Sequence, residues 1–504
     1  MPRLNDLSSE RLRGMRRGIE KESLRADEQG ALAVTPHPAA LGSALTHPHI
    51  TTDFSESQLE LITGVHAGTE DCLEELRQIH QFTYRVLGDE LMWVDSMPCR
   101  LPGDETIPLG RYGNSNVGRA KSVYRMGLGQ RYGRRMQTIS GIHYNWSLPG
   151  LRDEDHFALI RNFRRHSFLL LYLFGASPAL CSSFVDSRPH QLLPLGAGTL
   201  HMPHGTSLRM GRLGYQSDAQ ASITASFNNL DSYAASLHDA LTRPYPPYEA
   251  IGLRNLGGEY NQLSTTLLQI ENEFYGTIRP KRTIQVGERP LHALRERGVE
   301  YIEVRCMDLD PFEPLGINAS TMRFLDVFLL HCLTTDSPPD TPEEIAALAR
   351  NQHRTASHGR EPGLCLEREG SEVPLLDWAQ SLLGAFGPVA ARLDAAHGGQ
   401  AHAAALAVAE HRLRDPEETP SARALRVMQS DFDGSFSAFV LAQSRQTRAA
   451  LCALPFAEET AERFRAQAEE SVAAQKAIEA ADTRSFEDFR QEYLSPERLT
   501  LATA

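Results

Sequence analysis

The sequence predicts an α+β protein. An antiparallel sheet with one polar face is expected within a sheet-and-helix region, residues 1–333. A mainly helical region, 334–504, is expected to pack on the same domain. Three observations carry this. Short alternating segments, such as Ile142-His143-Tyr144-Asn145-Trp146 and Val299 to Arg305, have the period of half-buried strands. Polar groups recur on them at every second position, which places them on one face of a sheet. Beyond residue 340 alanine-rich stretches dominate, as in 401–411 and 457–481, and read as helices.

Helices are expected between the strands, at Cys72 to Leu87 and Asp153 to Phe174. The most apolar stretch, Ser167 to Leu180, is interrupted by Gly175 and Ser177 and is too short for a membrane span, so it reads as a buried core segment. The proline pair Pro338-Pro339 marks a linker. Thr341 reads as the N-cap of the next helix, with Pro342 in its first position. Residues 1–25 are rich in charge and hold no apolar signal core, so a cytoplasmic location is expected. Seven cysteines without a C-x-x-C pair suit a reducing compartment and exclude the usual structural zinc patterns.

The formal net charge is −13 over 504 residues, which disfavours non-specific nucleic-acid binding. Its distribution says more than its sum. No Asp or Glu occurs from Thr106 to Arg152, a run containing Arg125, Arg134 and Arg135. None occurs from Ser187 to Ser217, which contains Arg209. Such runs are either basic surface loops or a region cleared of carboxylates for small anionic ligands. Arg134 and Arg135 are expected to be ordinary surface charges.

A P-loop, a G-x-S-x-G elbow and an H-E-x-x-H helix are all missing. The chemistry-bearing pattern lies on strand faces instead. Glu20 and Glu22 share one face. His143 and Asn145 share another. Tyr301, Glu303 and Arg305 share a third, leaving Ile302, Val304 and Cys306 for the core. Asp53 opens a segment in which Glu60 sits between Leu59 and Leu61. Each pair alone is more often solvated than functional. Together they offer the oxygen-rich donors that Mg²⁺ takes alongside water and phosphate.

At these residues the sequence resembles the proteobacterial glutamate–cysteine ligases (γ-glutamylcysteine synthetases). The resemblance is carried by Arg17-Gly-Ile-Glu-Lys-Glu-Ser-Leu-Arg25, Thr138-Ile-Ser-Gly-Ile-His-Tyr-Asn145, Gln269-Ile-Glu-Asn-Glu273, Ile278-Arg-Pro-Lys-Arg282 and Glu300-Tyr-Ile-Glu-Val-Arg305. It implies a curved antiparallel sheet shaped as a funnel and surrounded by helices, similar to the catalytic domain of glutamine synthetase. It implies that ATP phosphorylates the γ-carboxylate of glutamate and that the amine of cysteine displaces the phosphate. The implied metal ligands, for Mg²⁺ or alternatively Mn²⁺, are Glu20, Glu22, Asp53, Glu60, His143 and Glu303, with Asn145 beside them. Arg305 is implied at the transferred phosphoryl group, with Glu303 as its catalytic companion. Arg125 and Arg209 are implied as carboxylate clamps, and Phe54, Tyr124, Tyr215 and Tyr275 as the cysteine pocket. The expected partners are glutamate, cysteine and ATP, with no nucleic acid and no membrane, on a monomeric chain. Cys99 is expected to be a free thiol. A ligase joining glutamate to another amine, and a non-catalytic sensor on the same fold, stay open as alternatives.

Overall fold

The structure is a computed structural model that describes residues 2–185, 189–214, 219–220 and 223–499. Its main sheet has seven strands, all paired antiparallel: β1 (Arg16–Ala26), β2 (Ile50–Thr52), β3 (Gln58–Ile62), β4 (Leu91–Met92), β5 (Ile142–Ser147), and, after three strands of a smaller sheet, β9 (Ile278–Lys281) and β10 (Tyr301–Met307). The order across it is β2-β3-β1-β5-β10-β9, with β4 on the far end of β1. The smaller sheet is β6 (Ala179–Cys181), β8 (Thr199–His201) and β7 (Leu193–Gly196), in that spatial order. A hairpin, β11 (Cys365–Arg368) and β12 (Ser371–Pro374), lies within the C-terminal helices.

The alternation read from sequence governs which side chains face the core. Ile142, Tyr144 and Trp146 on β5 are buried, as are Ile302, Val304 and Cys306 on β10. They join one hydrophobic cluster with Phe157 and Phe163 of the helix Asp153–His166 and with Trp378 and Phe386 of the helix Leu375–His397. The apolar stretch after Ser167 is the fully buried helix Phe168–Phe174. It is separated from Asp153–His166 by Ser167, so one expected helix is two.

Thr341 caps the helix Pro342–His358, its hydroxyl accepting from the Glu344 N–H at 3.2 Å. The Pro-rich stretch before it is pinned in place. Arg161 donates to the Ser337 carbonyl at 3.0 Å, and Asp340 accepts from the Phe227 N–H at the same distance. Among the described residues no helix is long and apolar enough to cross a membrane.

Pairing between β5 and β10 has one irregularity. Val304 opposes Tyr144 and Met307 opposes Ile142, so Arg305 and Cys306 together oppose the single residue His143. This β-bulge adds a residue to one strand only, a device that re-aims side chains beside active sites.

Candidate active site

Strands β1, β3, β5 and β10 turn their polar alternation toward one cavity of about 480 Å³. Its floor carries Glu20, Glu60, His143, Glu303 and Arg305, with Asp53 from the turn between β2 and β3. The helix Asn116–Tyr132 forms a wall with one face, through Lys121, Tyr124, Arg125 and Leu128.

The floor is crowded. His143 Nδ1 lies 3.1 Å from Glu20 Oε2 and 3.7 Å from Glu303 Oε1, and His143 Nε2 lies 3.7 Å from Glu22 Oε1. Asn145 donates to Glu20 Oε1 at 2.9 Å. Donor atoms of Glu20, His143 and Glu303 fall within 4.8 Å of one another. Glu22 and Glu60 are direct cross-strand partners, a placement of like charges that destabilises a sheet. Burial and the charges of Glu20, Asp53 and Glu22 accordingly push the Glu60 carboxyl well above the usual carboxylate range. Burial raises Glu22 as well.

Glu303 behaves oppositely. Burial would raise it, but Arg305 at 3.0 Å, Lys281 at 3.3 Å and His143 hold it well below the ordinary value. Arg305 Nη1 also stands 3.4 Å from His143 Nδ1, across the bulge. Three buried atoms of this cluster, His143 Nε2, Glu303 Oε2 and Asn145 Oδ1, make no hydrogen bond. Buried polar atoms are normally satisfied, and an exception calls for a reason. Carboxylate oxygens, one imidazole nitrogen and an amide oxygen form the donor set that a hard divalent cation accepts, so these residues fit such an ion.

The remaining expected residues divide. Phe54, Tyr124, Arg125 and Tyr275 line the cavity. Arg125 donates to the Asp53 carbonyl and stacks over Tyr112 at 4.4 Å, and Tyr275 accepts from Gln137 at 2.7 Å. Glu22 and Asn145 adjoin the floor through His143 and Glu20. Arg209 is buried, donating to the Arg305 carbonyl at 2.8 Å and standing 4.0 Å from Asp308. It also presses on Gly141, where a Cβ would come within 2.2 Å of the guanidinium, so this position has room only for glycine. Tyr215 lies outside the described residues.

Arg134 and Arg135 are not the solvated charges expected of them. Both are half-buried, Arg134 bonding the Glu105 and Ile107 carbonyls at 2.7 and 2.8 Å and Arg135 the Ser183 and Pro102 carbonyls. Cys99 is free and buried, with the free thiol of Cys181 beside it. Sequence reasoning missed Lys281, which lines the cavity between β9 and Glu303. Its signal was the alternation of Arg279 and Lys281 on a strand. It also missed Ile478, Phe489 and Tyr493, C-terminal side chains that reach the same cavity.

The profile of the family described as glutamate–cysteine ligase matches residues 3–355. This chain belongs to the glutamate–cysteine ligase family. It is 50% identical to the glutamate–cysteine ligase of Azotobacter vinelandii, with 96% of this chain and 94% of the relative covered. It is 49% identical to that of Saccharophagus degradans, over 96% and 94%. The crystal structure of the Francisella tularensis glutamate–cysteine ligase in complex with AMP superposes with a TM-score of 0.92 at 36% identity, covering 96% of this chain and 98% of that one. A bifunctional glutathione synthetase from Pasteurella multocida gives a TM-score of 0.71 at 25% identity, over 94% of this chain and 57% of the other. The glutamate–cysteine ligase profile stops at residue 355, so the C-terminal side chains at the cavity lie beyond it.

Proposed function

We propose that this protein joins the γ-carboxylate of L-glutamate to the amine of L-cysteine at the expense of ATP, through a γ-glutamyl phosphate, giving γ-glutamylcysteine, ADP and phosphate, the first step of glutathione synthesis. The observation that carries this is the floor of the cavity, in a chain of this family. Four carboxylates, a histidine and an arginine converge there, with buried atoms of His143 and Glu303 left unsatisfied.

Glu20, Glu22, Asp53, Glu60, His143 and Glu303 would hold Mg²⁺, or Mn²⁺ in its place. When bound, such ions neutralise charge on the phosphate oxygens. The protein's own part is positioning and electrostatics, as is usual in phosphoryl transfer. Glu303 fixes the Arg305 guanidinium at 3.0 Å, so its planar fork is already oriented when charge develops on the transferred group. Arg125 is held at the cavity wall by the Asp53 carbonyl and offers its remaining N–H groups to an amino-acid carboxylate. Arg209, also assigned to carboxylate binding, lies buried against Gly141 and the Arg305 carbonyl, behind the residues that line the cavity. Phe54, Tyr124 and Tyr275 shape the cysteine pocket; Tyr215, also implied there, lies outside the described residues. The curved sheet beneath them is read as the glutamine-synthetase-like funnel, and the enzyme as a cytoplasmic monomer.

The test is ADP release by the purified protein with glutamate plus cysteine. Release that needs both amino acids is the expected result. Equal rates with many other small amines would remove cysteine from the assignment while leaving a glutamate–amine ligase.

A further inference from the structure

Ligation needs a proton acceptor. The amine of an amino acid is charged near neutral pH, and an ammonium has no lone pair with which to attack. The carboxylates and His143 on the cavity floor are assigned to a cation, and arginines keep their protons. Two lysines line the cavity, Lys121 and Lys281, and their surroundings differ.

Lys281 stands 3.3 Å from Glu303. Burial would lower it, but that carboxylate sustains its charge. Lys121 has no such partner. Among the described residues its ammonium makes no ion pair and no hydrogen bond. It lies over the Tyr112 ring at 5.1 Å, and Arg125, one turn later on the same helix, lies over that ring at 4.4 Å. Tyr112 is buried, with its hydroxyl 2.8 Å from the Thr52 and Asp53 carbonyls. Two cations therefore share one fixed ring, and lysine is the one that can yield its charge. Burial and the Arg125 charge push Lys121 down to about 8, against the smaller pull of Glu60 and Asp53. Tyr112, Arg125, Glu60 and Asp53 are the charged and titratable groups that face it.

Helical spacing aims this amine. Lys121, Tyr124, Arg125 and Leu128 fall at i, i+3, i+4 and i+7, and all four line the cavity. Arg125 Nη1 donates back to the Lys121 carbonyl at 3.0 Å. Tyr124 is assigned to the cysteine pocket and Arg125 to an amino-acid carboxylate. Lys121 thus stands one turn from the groups that would hold cysteine, on the same helix face.

We infer that Lys121 is the general base of the ligation, accepting a proton from the ammonium of cysteine. This rests on the ligase reading above and deepens it. The proton passes to the uncharged Lys121 amine. The freed nitrogen lone pair forms the C–N bond to the γ-carbonyl carbon, and the C–O bond to phosphate breaks, its electron pair leaving with the phosphate. The second proton lost by the nitrogen goes to the departing phosphate. Lys121 returns its own proton to water once the products leave.

The experiment uses the full-length enzyme, Lys121→Met and Lys121→Arg, with two acceptors, cysteine and hydroxylamine. Hydroxylamine is uncharged at neutral pH and needs no base, so glutamyl hydroxamate reports the acyl phosphate alone. Both variants should lose ligation to cysteine about 10²-fold or more at neutral pH, the scale of a lost general base. KM for glutamate and for ATP should stay within about twofold, and hydroxamate formation should fall less than about threefold. In the parent enzyme kcat with cysteine should rise as pH is raised through about 8, and that limb should be missing from both variants. Cysteine ligation retained by Lys121→Arg would overturn the proposal, because a fixed charge would then suffice. Equal loss of hydroxamate would overturn it too, because Lys121 would then serve glutamate or ATP. A parent enzyme that made no hydroxamate would refute the acyl phosphate reading, and Lys121's role with it, before any variant is compared.

Discussion

On the packed face of the main sheet, Arg17 meets Asp326 at 2.7 Å, and Tyr144 donates to the second oxygen of the same carboxylate at 2.9 Å. Every charge in that group has an opposite or a hydrogen-bond donor against it. On the cavity face of the same strands, Glu22 opposes Glu60, Glu20 is repelled by Glu303, and three buried polar atoms have no partner. The Arg17–Asp326 group balances its buried charge, whereas Glu22 and Glu60 lie against each other. A satisfied buried pair holds structure, whereas a cluster of like charges persists because an activity needs it.

That contrast gives variants of opposite kinds. On the cavity face, Arg305→Lys loses the planar fork and should lower ligation about 10³-fold or more. Glu303→Gln should lower it by roughly 10²–10³. Neither should lower the melting temperature, and near-normal turnover would remove that residue from the catalytic list. On the packed face, Asp326→Ala leaves Arg17 buried and unpaired, and should cost about 3–5 kcal/mol of stability, read from the denaturant midpoint. Its KM values should not move; a variant that folded as well as the parent would break the distinction between the faces.

A third prediction concerns pH. Burial pushes the His331 imidazole down to about 4. The unfolded chain takes up this proton near pH 6.5 while the folded chain refuses it. Stability from this group is therefore present above pH 6.5 and lost as pH falls toward 4, by about 3 kcal/mol. His331→Leu should flatten that part of the profile in thermal melts; an unchanged slope would refute it. The smallest effect is expected from Glu60→Gln in chelator-treated protein. The raised Glu60 carboxyl makes the folded state hold a proton that the unfolded state releases above its ordinary pKa, so this group costs stability as pH rises. Removing it should add roughly 1 kcal/mol near neutral pH while ligation is lost.

Much of this contrast was legible in the sequence. Period-2 alternation fixed which residues of 142–146 and 301–305 face the core, and therefore which polar groups face the cavity. The neighbours were not legible. Nothing in the two segments says that β5 pairs with β10, or that a bulge sets Arg305 and Cys306 against His143, because pairing depends on the whole chain. Lys281 was not legible either, because a lysine at the end of a strand is usually solvated; here it meets Glu303. The C-terminal stretches read as helices without saying what they cover, and the short helix Phe486–Tyr493 carries no signal that places Phe489 and Tyr493 at the cavity. Arg134 and Arg135 were misjudged because backbone carbonyls, their actual partners, leave no mark in a residue pattern.

The contact between Arg305 and His143 joins residues 162 positions apart. Tyr493, near the chain's end, closes the cavity that Glu20, near its beginning, opens. Such non-local closure is slow, because loop entropy is lost before contacts reward it. During synthesis the floor strands emerge well before the last helix, so they must wait on the ribosome with their cavity open. Ligase activity should therefore appear only once the helix Phe486–Tyr493 has docked, as a late, single event in refolding rather than in proportion to the sheet already formed.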